Sequence, residues 1–97
     1  MECCNKKSTK RNEAEKKVLI NRLSRIEGQV RGVRSMVLGD EYCVDILTQV
    51  SAINSALAAF NRELLCMHID GCVREDILNG SDEKLTELSE LLKKFIK

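Results

Sequence analysis

The chain of 97 residues contains no proline and no tryptophan, and its aromatic residues are one tyrosine and two phenylalanines. Because proline is absent, none interrupts a helix. Strict alternation of apolar and polar residues, which marks a half-buried strand, is also missing. Apolar residues recur instead at steps of three and four, the spacing of one helical face. The sequence therefore predicts an all-α fold with three helices.

A short chain with few aromatic side chains can bury only a small apolar area in a hydrophobic core. It makes one domain at most, and three helices of this composition would leave apolar faces uncovered. We therefore expect the chain to form oligomers. Residues 1–12 are polar, basic and without periodicity, which predicts a flexible arm, and residues 13–97 are expected to form a single helical domain.

Secretory signals and apolar runs of membrane length are not evident in the sequence. The five cysteines are an odd number, which does not suit a secreted disulfide framework. We therefore expect a cytoplasmic protein with reduced thiols. A thiol enzyme would need a second catalytic group, which the chain does not offer, so we do not expect an enzyme.

Charge is unevenly distributed although the net charge is only +1. Residues 1–34 carry ten Lys and Arg against four Glu, whereas residues 35–97 carry six against eleven acidic residues. Such asymmetry predicts a basic face for an anionic partner such as nucleic acid. The alternative is a solvated tail followed by an ordinary charged helix face.

Helix boundaries are predicted from periodicity and capping residues. The first helix is expected over about 13–38, with Gly39 ending it and Asp40 as the N-cap of the next. The second is expected to run to a break after about residue 78, and the third to begin at Ser81.

Three soft-ligand residues lie on the predicted second helix: Cys43, His68 and Cys72. His68 and Cys72 are four residues apart, so they share a face and could bind one ion together. Cys43 precedes His68 by 25 residues, which is roughly 37 Å along a straight helix. If all three bind one metal, a second copy must run antiparallel and bring its own His68 and Cys72 beside Cys43.

Two thiolates and one imidazole form a soft donor set, which favours Cu(I). Zn(II) would accept the same set with a fourth ligand added, and Ni(II) would usually require more nitrogen donors. Cys66 lies about 200° around the helix from His68 and is expected to point away from such a site.

Two long motifs carry a resemblance to a known family. Residues 21–32 read NRLSRIEGQVRG, and residues 42–52 read YCVDILTQVSA. With the Cys–His–Cys positions, they resemble the CsoR/RcnR family of metal-sensing transcriptional repressors over about residues 16–95. Cys43, His68 and Cys72 match the copper(I)-sensing branch. The resemblance implies a trigonal Cu(I) site between protomers, with Tyr42 and Glu87 linking it to the rest of the protein.

The resemblance also implies an assembly and a function. Its fold is an antiparallel four-helix-bundle dimer that assembles into a disc-like homotetramer, which binds operator DNA in the apo form and is released by Cu(I). Ala59 occupies a position where some relatives carry a DNA-contacting Arg, so either Arg62 substitutes for it or the contact surface differs. The residues expected to contact DNA are Arg22, Arg25, Arg31, Arg34, Arg62, Lys10 and Arg11.

Alternatives remain open within and outside the family. Nickel and cobalt sensors resembling RcnR carry His where this chain has Cys72, formaldehyde sensors of the FrmR kind carry a proline where this chain has Glu2, and persulfide sensors resembling CstR lack the His. Because both cysteines are retained, a response to sulfur species stays open. A cytoplasmic copper buffer or chaperone would use the same ligands without needing a basic face.

Overall fold

The computed structural model describes residues 4–5 and 8–95, which are almost entirely helical. The all-α prediction is confirmed. The helices are α1 (Glu13–Leu38), α2 (Cys43–His68), a π-helical segment (Ile69–Val73), α3 (Arg74–Leu78) and α4 (Glu83–Phe95).

Two strands of two residues each precede the helices. β1 (Cys4–Asn5) pairs antiparallel with β2 (Ser8–Thr9). The sequence predicted no strand, and so short a pair carries no alternation from which it could be predicted. The prediction of a flexible basic arm over residues 1–12 falls partly outside the described residues and stays a prediction.

Helix α1 begins with reciprocal capping. The backbone N–H of Glu15 donates to the Asn12 side chain over 2.8 Å, and the Asn12 N–H donates to the Glu15 carboxylate over 3.1 Å. Two N–H groups that the helix leaves without intrahelical acceptors are satisfied in this way. This cap explains why the helix begins at Glu13.

The end of α1 differs from the prediction at Asp40. The N–H of Asp40 donates to the Val37 carbonyl, and the N–H of Glu41 donates to the Met36 carbonyl. This pattern is a Schellman motif, and Asp40 takes the left-handed conformation that the motif requires, with φ of 52°. Asp40 thus ends the first helix rather than capping the second, and Gly39 lies one residue earlier than the left-handed position.

The second helix is continuous from Cys43 to Leu78, through α2, the π-helical segment and α3. By length and composition alone it could cross a membrane, whereas the sequence was expected to hold no such run. Apolar and small residues cover more than one of its faces, as they also do on a helix that packs inside a bundle. The predicted break is confirmed at Asn79–Gly80, where Gly80 has φ of 85°.

Packing divides the chain into two units, Asn12–Leu64 and a second that joins Met1–Arg11 with Leu65–Lys97. In the first unit, Leu19 and Ile26 of α1 and Ile53 of α2 are buried. In the second, the buried residues are Cys72, Val73 and Leu88. Neither core is large, which agrees with the few aromatic residues. The prediction of one domain over residues 13–97 stays a prediction.

Candidate metal centre and nucleic-acid interface

The three predicted ligands occupy defined positions along the second helix. Cys43 is the first residue of α2, and His68 is its last. Cys72 is the fourth residue of the π-helical segment that follows. The two ligands predicted to act as a pair, His68 and Cys72, therefore flank or lie within the one irregular stretch of this helix.

The π-helical segment Ile69–Val73 is a feature that sequence analysis missed. Single π turns within α-helices are rare and are found frequently at functional sites, because the wider turn changes the direction of the side chains. Gly71, the only glycine between Cys43 and Leu78, lies in this segment. A glycine inside an otherwise apolar helix is the signal that could have indicated an irregularity there.

Exposure differs sharply among the candidate ligands. The Cys72 side chain is 2% exposed, His68 is half-buried, and Cys43 is exposed. Tyr42, beside Cys43, is 70% exposed. A ligand as exposed as Cys43 remains open to a metal or to another chain.

The oxidation states of the sulfurs also differ. Cys43 and Cys66 are free thiols, whereas Cys72 takes part in a disulfide bond. The expectation of reduced thiols therefore does not hold for Cys72 in this structure. Metal ligation requires a thiolate, so Cys72 must be reduced before it can bind a metal.

A single chain does not bring a complete site together. Among the residues that the structure describes, no three His, Cys, Asp or Glu side chains are grouped as a metal site requires. His68 and Cys72 can supply one nitrogen and one sulfur, and Cys43 a second sulfur from elsewhere. This donor set suits a soft ion such as Cu(I), which accepts thiolate and imidazole ligands in low coordination number.

The turn between α3 and α4 is held by Asp76. Its carboxylate accepts the backbone N–H of Lys84 over 3.0 Å and lies 3.6 Å from the Lys84 Nζ. The hydrogen bond from the Lys84 N–H, the Lys84 charge and a hydrogen bond with Ser81 lower the pKa of Asp76, although partial burial opposes them. Since α4 carries Glu87, Asp76 contributes to fixing the helix on which that residue lies.

Ser81 supports the start of α4, which begins at Glu83, two residues after the predicted start. Its Oγ accepts the backbone N–H of Glu83 over 3.3 Å. Glu87 lies on the following turn and is exposed, whereas its neighbour Leu88 is buried. The structure therefore places Glu87 on the solvent side of α4 in the single chain.

Arg22 and Arg25 line one groove between α1 and α2. The groove has a volume of about 540 Å³, and Gly28, Gln29 and Ala56 also line it. Two guanidinium groups with no carboxylate among the residues that line the groove form a cationic surface that suits a phosphate group. The structure thus brings together Arg22 and Arg25, two residues of the predicted basic face.

The remaining arginines of α1 are not among the residues that line that groove. Arg31 lines a second groove with Ile20, Leu23 and Val30, and its Nη2 lies 3.7 Å from the position that a Cβ on Gly28 would take. Arg31 follows Arg22 by nine residues, which is about two and a half helical turns, so the two residues project from opposite sides of α1. The other candidates that the structure leaves exposed are Arg34, Arg62 and Lys10, while Arg11 is half-buried.

Glu63 forms an ion pair with Arg22 that the sequence did not indicate. Its Oε2 lies 3.7 Å from the Arg22 Nη2 and joins α2 to α1 within the unit Asn12–Leu64. The two side chains remain 39% and 42% exposed, respectively. An anion that binds the Arg22 guanidinium therefore comes close to the Glu63 carboxylate, which repels it.

Comparison with solved structures supports the fold and its family. The chain is similar to the copper-sensing repressor CsoR with Cu(I) from Geobacillus thermodenitrificans NG80-2, with a TM-score of 0.87 and 45% identity, covering 93% of this chain and 95% of that one. It is also similar to the nickel-responsive transcriptional regulator InrS, with a TM-score of 0.72 and 36% identity, covering 94% of this chain and 100% of that one.

Comparison of sequences gives the same family. The copper-sensing transcriptional repressor CsoR of Bacillus subtilis (strain 168) is 47% identical over 94 residues, which cover 96% of this chain and 89% of that protein. A family model described as a metal-sensitive transcriptional repressor matches residues 15–94. The resemblance seen in the sequence is thereby confirmed. The chain belongs to the family of metal-sensitive transcriptional repressors.

Proposed function

We propose that the chain is a copper(I)-responsive transcriptional repressor, which binds operator DNA in its apo form and is released when Cu(I) binds. The observation that carries this proposal is the soft donor set of Cys43, His68 and Cys72 on one continuous helix. Two thiolates and one imidazole favour Cu(I) over ions that prefer oxygen or several nitrogens. The similarity to copper-sensing repressors supports the same choice of metal.

The metal site requires two copies of the chain. His68 follows Cys43 by 25 residues of continuous helix, and each residue adds about 1.5 Å, so the two cannot bind one ion within one chain. Two antiparallel copies would place Cys43 of one beside His68 and Cys72 of the other. By symmetry such a dimer holds two equivalent sites.

Uncovered apolar residues support this assembly. Val44, Leu47, Val50 and Leu57 of α2 are all exposed in the single chain. Pairing α1 and α2 with the same helices of a second copy would cover them in a four-helix bundle, and two dimers would form the disc-like homotetramer. We assign the apolar character of Cys43–Leu78 to this packing rather than to a membrane, and the protein to the cytoplasm.

Tyr42 and Glu87 are proposed to transmit the metal state. A ligand histidine usually donates its second ring N–H to a neighbouring oxygen, which fixes the orientation of the ring. Tyr42 precedes the ligand Cys43, and Glu87 lies on α4, which packs against the π-helical segment. Hydrogen bonding from His68 toward one of them would tie metal binding to the position of a helix.

DNA binding is assigned first to Arg22 and Arg25, because they line one groove. Contacts of this type act mainly on phosphate groups, so they position the protein and carry little sequence information. Arg62 is proposed to serve at the place where Ala59 replaces an arginine. Contacts from the other faces depend on the assembly, and the residues involved would be Arg31, Arg34, Lys10 and Arg11.

Release of DNA follows from linkage between the two sites. Three ligands from two chains can close around Cu(I) in only one arrangement of the helices. If that arrangement presents the cationic groove less well to DNA, metal and DNA weaken each other's binding by the same factor. Coupling free energies of about 1–3 kcal/mol are usual for such systems.

The test is DNA binding by the reduced protein with and without Cu(I). The probe is the DNA upstream of the gene for this chain, with a scrambled fragment of equal length as control. We expect the wild type to bind the probe and to release it on addition of Cu(I), and His68→Ala to bind it without release. If His68→Ala still binds Cu(I) and releases DNA normally, the proposed mechanism is wrong. A chain that binds Cu(I) but never the probe would be a copper buffer instead.

A further inference from the structure

The ion pair between Arg22 and Glu63 lies where the DNA surface is proposed. The atoms Nη2 and Oε2 are 3.7 Å apart, and both side chains are more than one third exposed. Water and larger anions can therefore reach the Arg22 guanidinium while the Glu63 carboxylate is present. An exposed pair of this kind is weak, so another anion can displace it.

The surroundings of Arg22 make Glu63 electrostatically distinct. The other residues that line the groove beside Arg22 carry either a positive charge or none: Arg25, Gln29, Ile26, Gly28 and Ala56. Glu63 adds a negative charge at its partner arginine. A DNA phosphate that binds Arg22 must take the place of this carboxylate or bind beside it, and two anions so close repel each other.

We propose that Glu63 is a built-in competitor of DNA phosphate at Arg22 and limits the affinity of the apo protein for its operator. This inference rests on the proposed role of Arg22 in DNA binding. Glu63 acts through Arg22, without touching DNA. Its effect is to keep operator binding weak enough to be reversed.

The size of the effect follows from the exposure of the pair. Exposed ion pairs of this type shift an equilibrium by about two- to fivefold. Removal of the carboxylate should therefore tighten DNA binding by about that factor for each copy whose Arg22 contacts a phosphate. When Arg22 leaves Glu63 to bind a phosphate, the freed carboxylate takes up a cation from solution. This uptake offsets part of the counterion release from DNA. Removal of Glu63 should consequently steepen the dependence of affinity on salt.

The experiment compares Glu63→Gln with a matched control and a double variant. Affinities of the reduced, metal-free full chain for the operator fragment are measured by fluorescence anisotropy at several salt concentrations. Glu83→Gln, which removes an exposed carboxylate from the first turn of α4, controls for net charge. Glu63→Gln should tighten binding and steepen the salt dependence, whereas Glu83→Gln should change both by less. In an Arg22→Met background, Glu63→Gln should have no more effect than the control.

Each contrary outcome has a distinct meaning. The proposal is overturned if Glu63→Gln weakens DNA binding, because the carboxylate would then orient Arg22 for the phosphate. It is equally overturned if the affinity is unchanged, because the carboxylate would then have no effect on DNA binding. It is also overturned if the gain persists in the Arg22→Met background. If Arg22→Met itself leaves DNA affinity unchanged, the assignment of Arg22 to the DNA surface is wrong, and the proposal for Glu63 fails with it. Glu63→Ala should give the same gain as Glu63→Gln, and far-ultraviolet circular dichroism checks that the helices are retained.

Discussion

Asp76 and Lys84 are joined twice across the turn between α3 and α4, through the Lys84 backbone N–H at 3.0 Å and its ammonium group at 3.6 Å. The Asp76 carbonyl also accepts the N–H of Ser81, at 3.0 Å. One residue thus completes the end of one helix and the beginning of the next. The Asp76 carboxylate thus adds a hydrogen bond and an ion pair to a turn that backbone hydrogen bonds also close.

Stability should depend on pH through Asp76. The backbone N–H of Lys84 and its charge lower the pKa of Asp76 below its ordinary value of 3.8 in the folded chain. The stabilisation is therefore complete at a pH above 3.8 and is lost as the pH falls through the lower folded pKa. Asp76→Asn should be less stable than the wild type at pH 7, and the difference should shrink at acid pH. Thermal unfolding between pH 7 and pH 2.5 measures it, and a constant difference would contradict the role of the charge.

Asp40 should be more tolerant of glycine than of a β-branched residue. Its φ of 52° is accessible to glycine without steric strain, and a β-branched side chain is strongly disfavoured there. We expect Asp40→Gly to keep or raise the free energy of unfolding, and Asp40→Val to lower it by about 1 kcal/mol or more. Chemical denaturation at one fixed protein concentration gives the values. Equal effects of the two substitutions would argue against the left-handed conformation.

A charge on the uncovered face of α2 should prevent dimer formation. Leu57 is exposed in the single chain and lies on the face that we assign to the second copy. Leu57→Glu would bury an unpaired carboxylate, which costs several kcal/mol, so the dimer dissociation constant should rise by at least about a hundredfold. Ser89→Glu, at an exposed position of α4, is the control. Sedimentation equilibrium distinguishes the states, and an intact dimer of Leu57→Glu would place the interface elsewhere.

The choice of metal should depend on the sulfur of Cys72. Cys72→His replaces a soft thiolate with a harder imidazole, which suits Ni(II) and Zn(II) better than Cu(I). Cu(I) affinity should fall by more than about tenfold, since loss of an outer partner alone has that effect. Competition titrations of the reduced protein with each metal test this. Unchanged Cu(I) affinity would remove Cys72 from the site.

The boundaries of the helices could be predicted from sequence because they depend on local interactions. The capping residues Asn12 and Ser81 and the left-handed Gly80 all lie within a few residues of the backbone groups that they satisfy. The prediction that Asp40 is the N-cap of the second helix is wrong. An aspartate between two helices can serve either as an N-cap or as a left-handed residue that ends a helix, and the sequence does not distinguish the two.

The candidate site was less predictable where it depends on distant residues. Nothing in the sequence pairs Arg22 with Glu63, which lies 41 positions further along the chain, because that pair forms only when α1 and α2 pack. The π-helical segment differs from an α-helix in its backbone hydrogen bonds, which run from i to i+5. The spacing of apolar side chains does not reveal so short a change. The separation of Arg22 from Arg31 could have been predicted, since nine residues make about two and a half helical turns and so place the two on opposite sides of α1.

The sharing of ligands between two chains can be tested by mixing two inactive variants. Cys43→Ala lacks one sulfur from every site, and the double variant His68→Ala/Cys72→Ala lacks the other two ligands. A mixed dimer contains one complete site only if Cys43 acts with the histidine and cysteine of the partner. We expect neither variant alone to retain Cu(I) against a chelator, and the reduced, co-refolded mixture to regain up to one tightly bound Cu(I) per mixed dimer, with one nitrogen and two sulfur ligands by X-ray absorption. No recovery in a mixture shown to contain mixed dimers would contradict a site built between two chains.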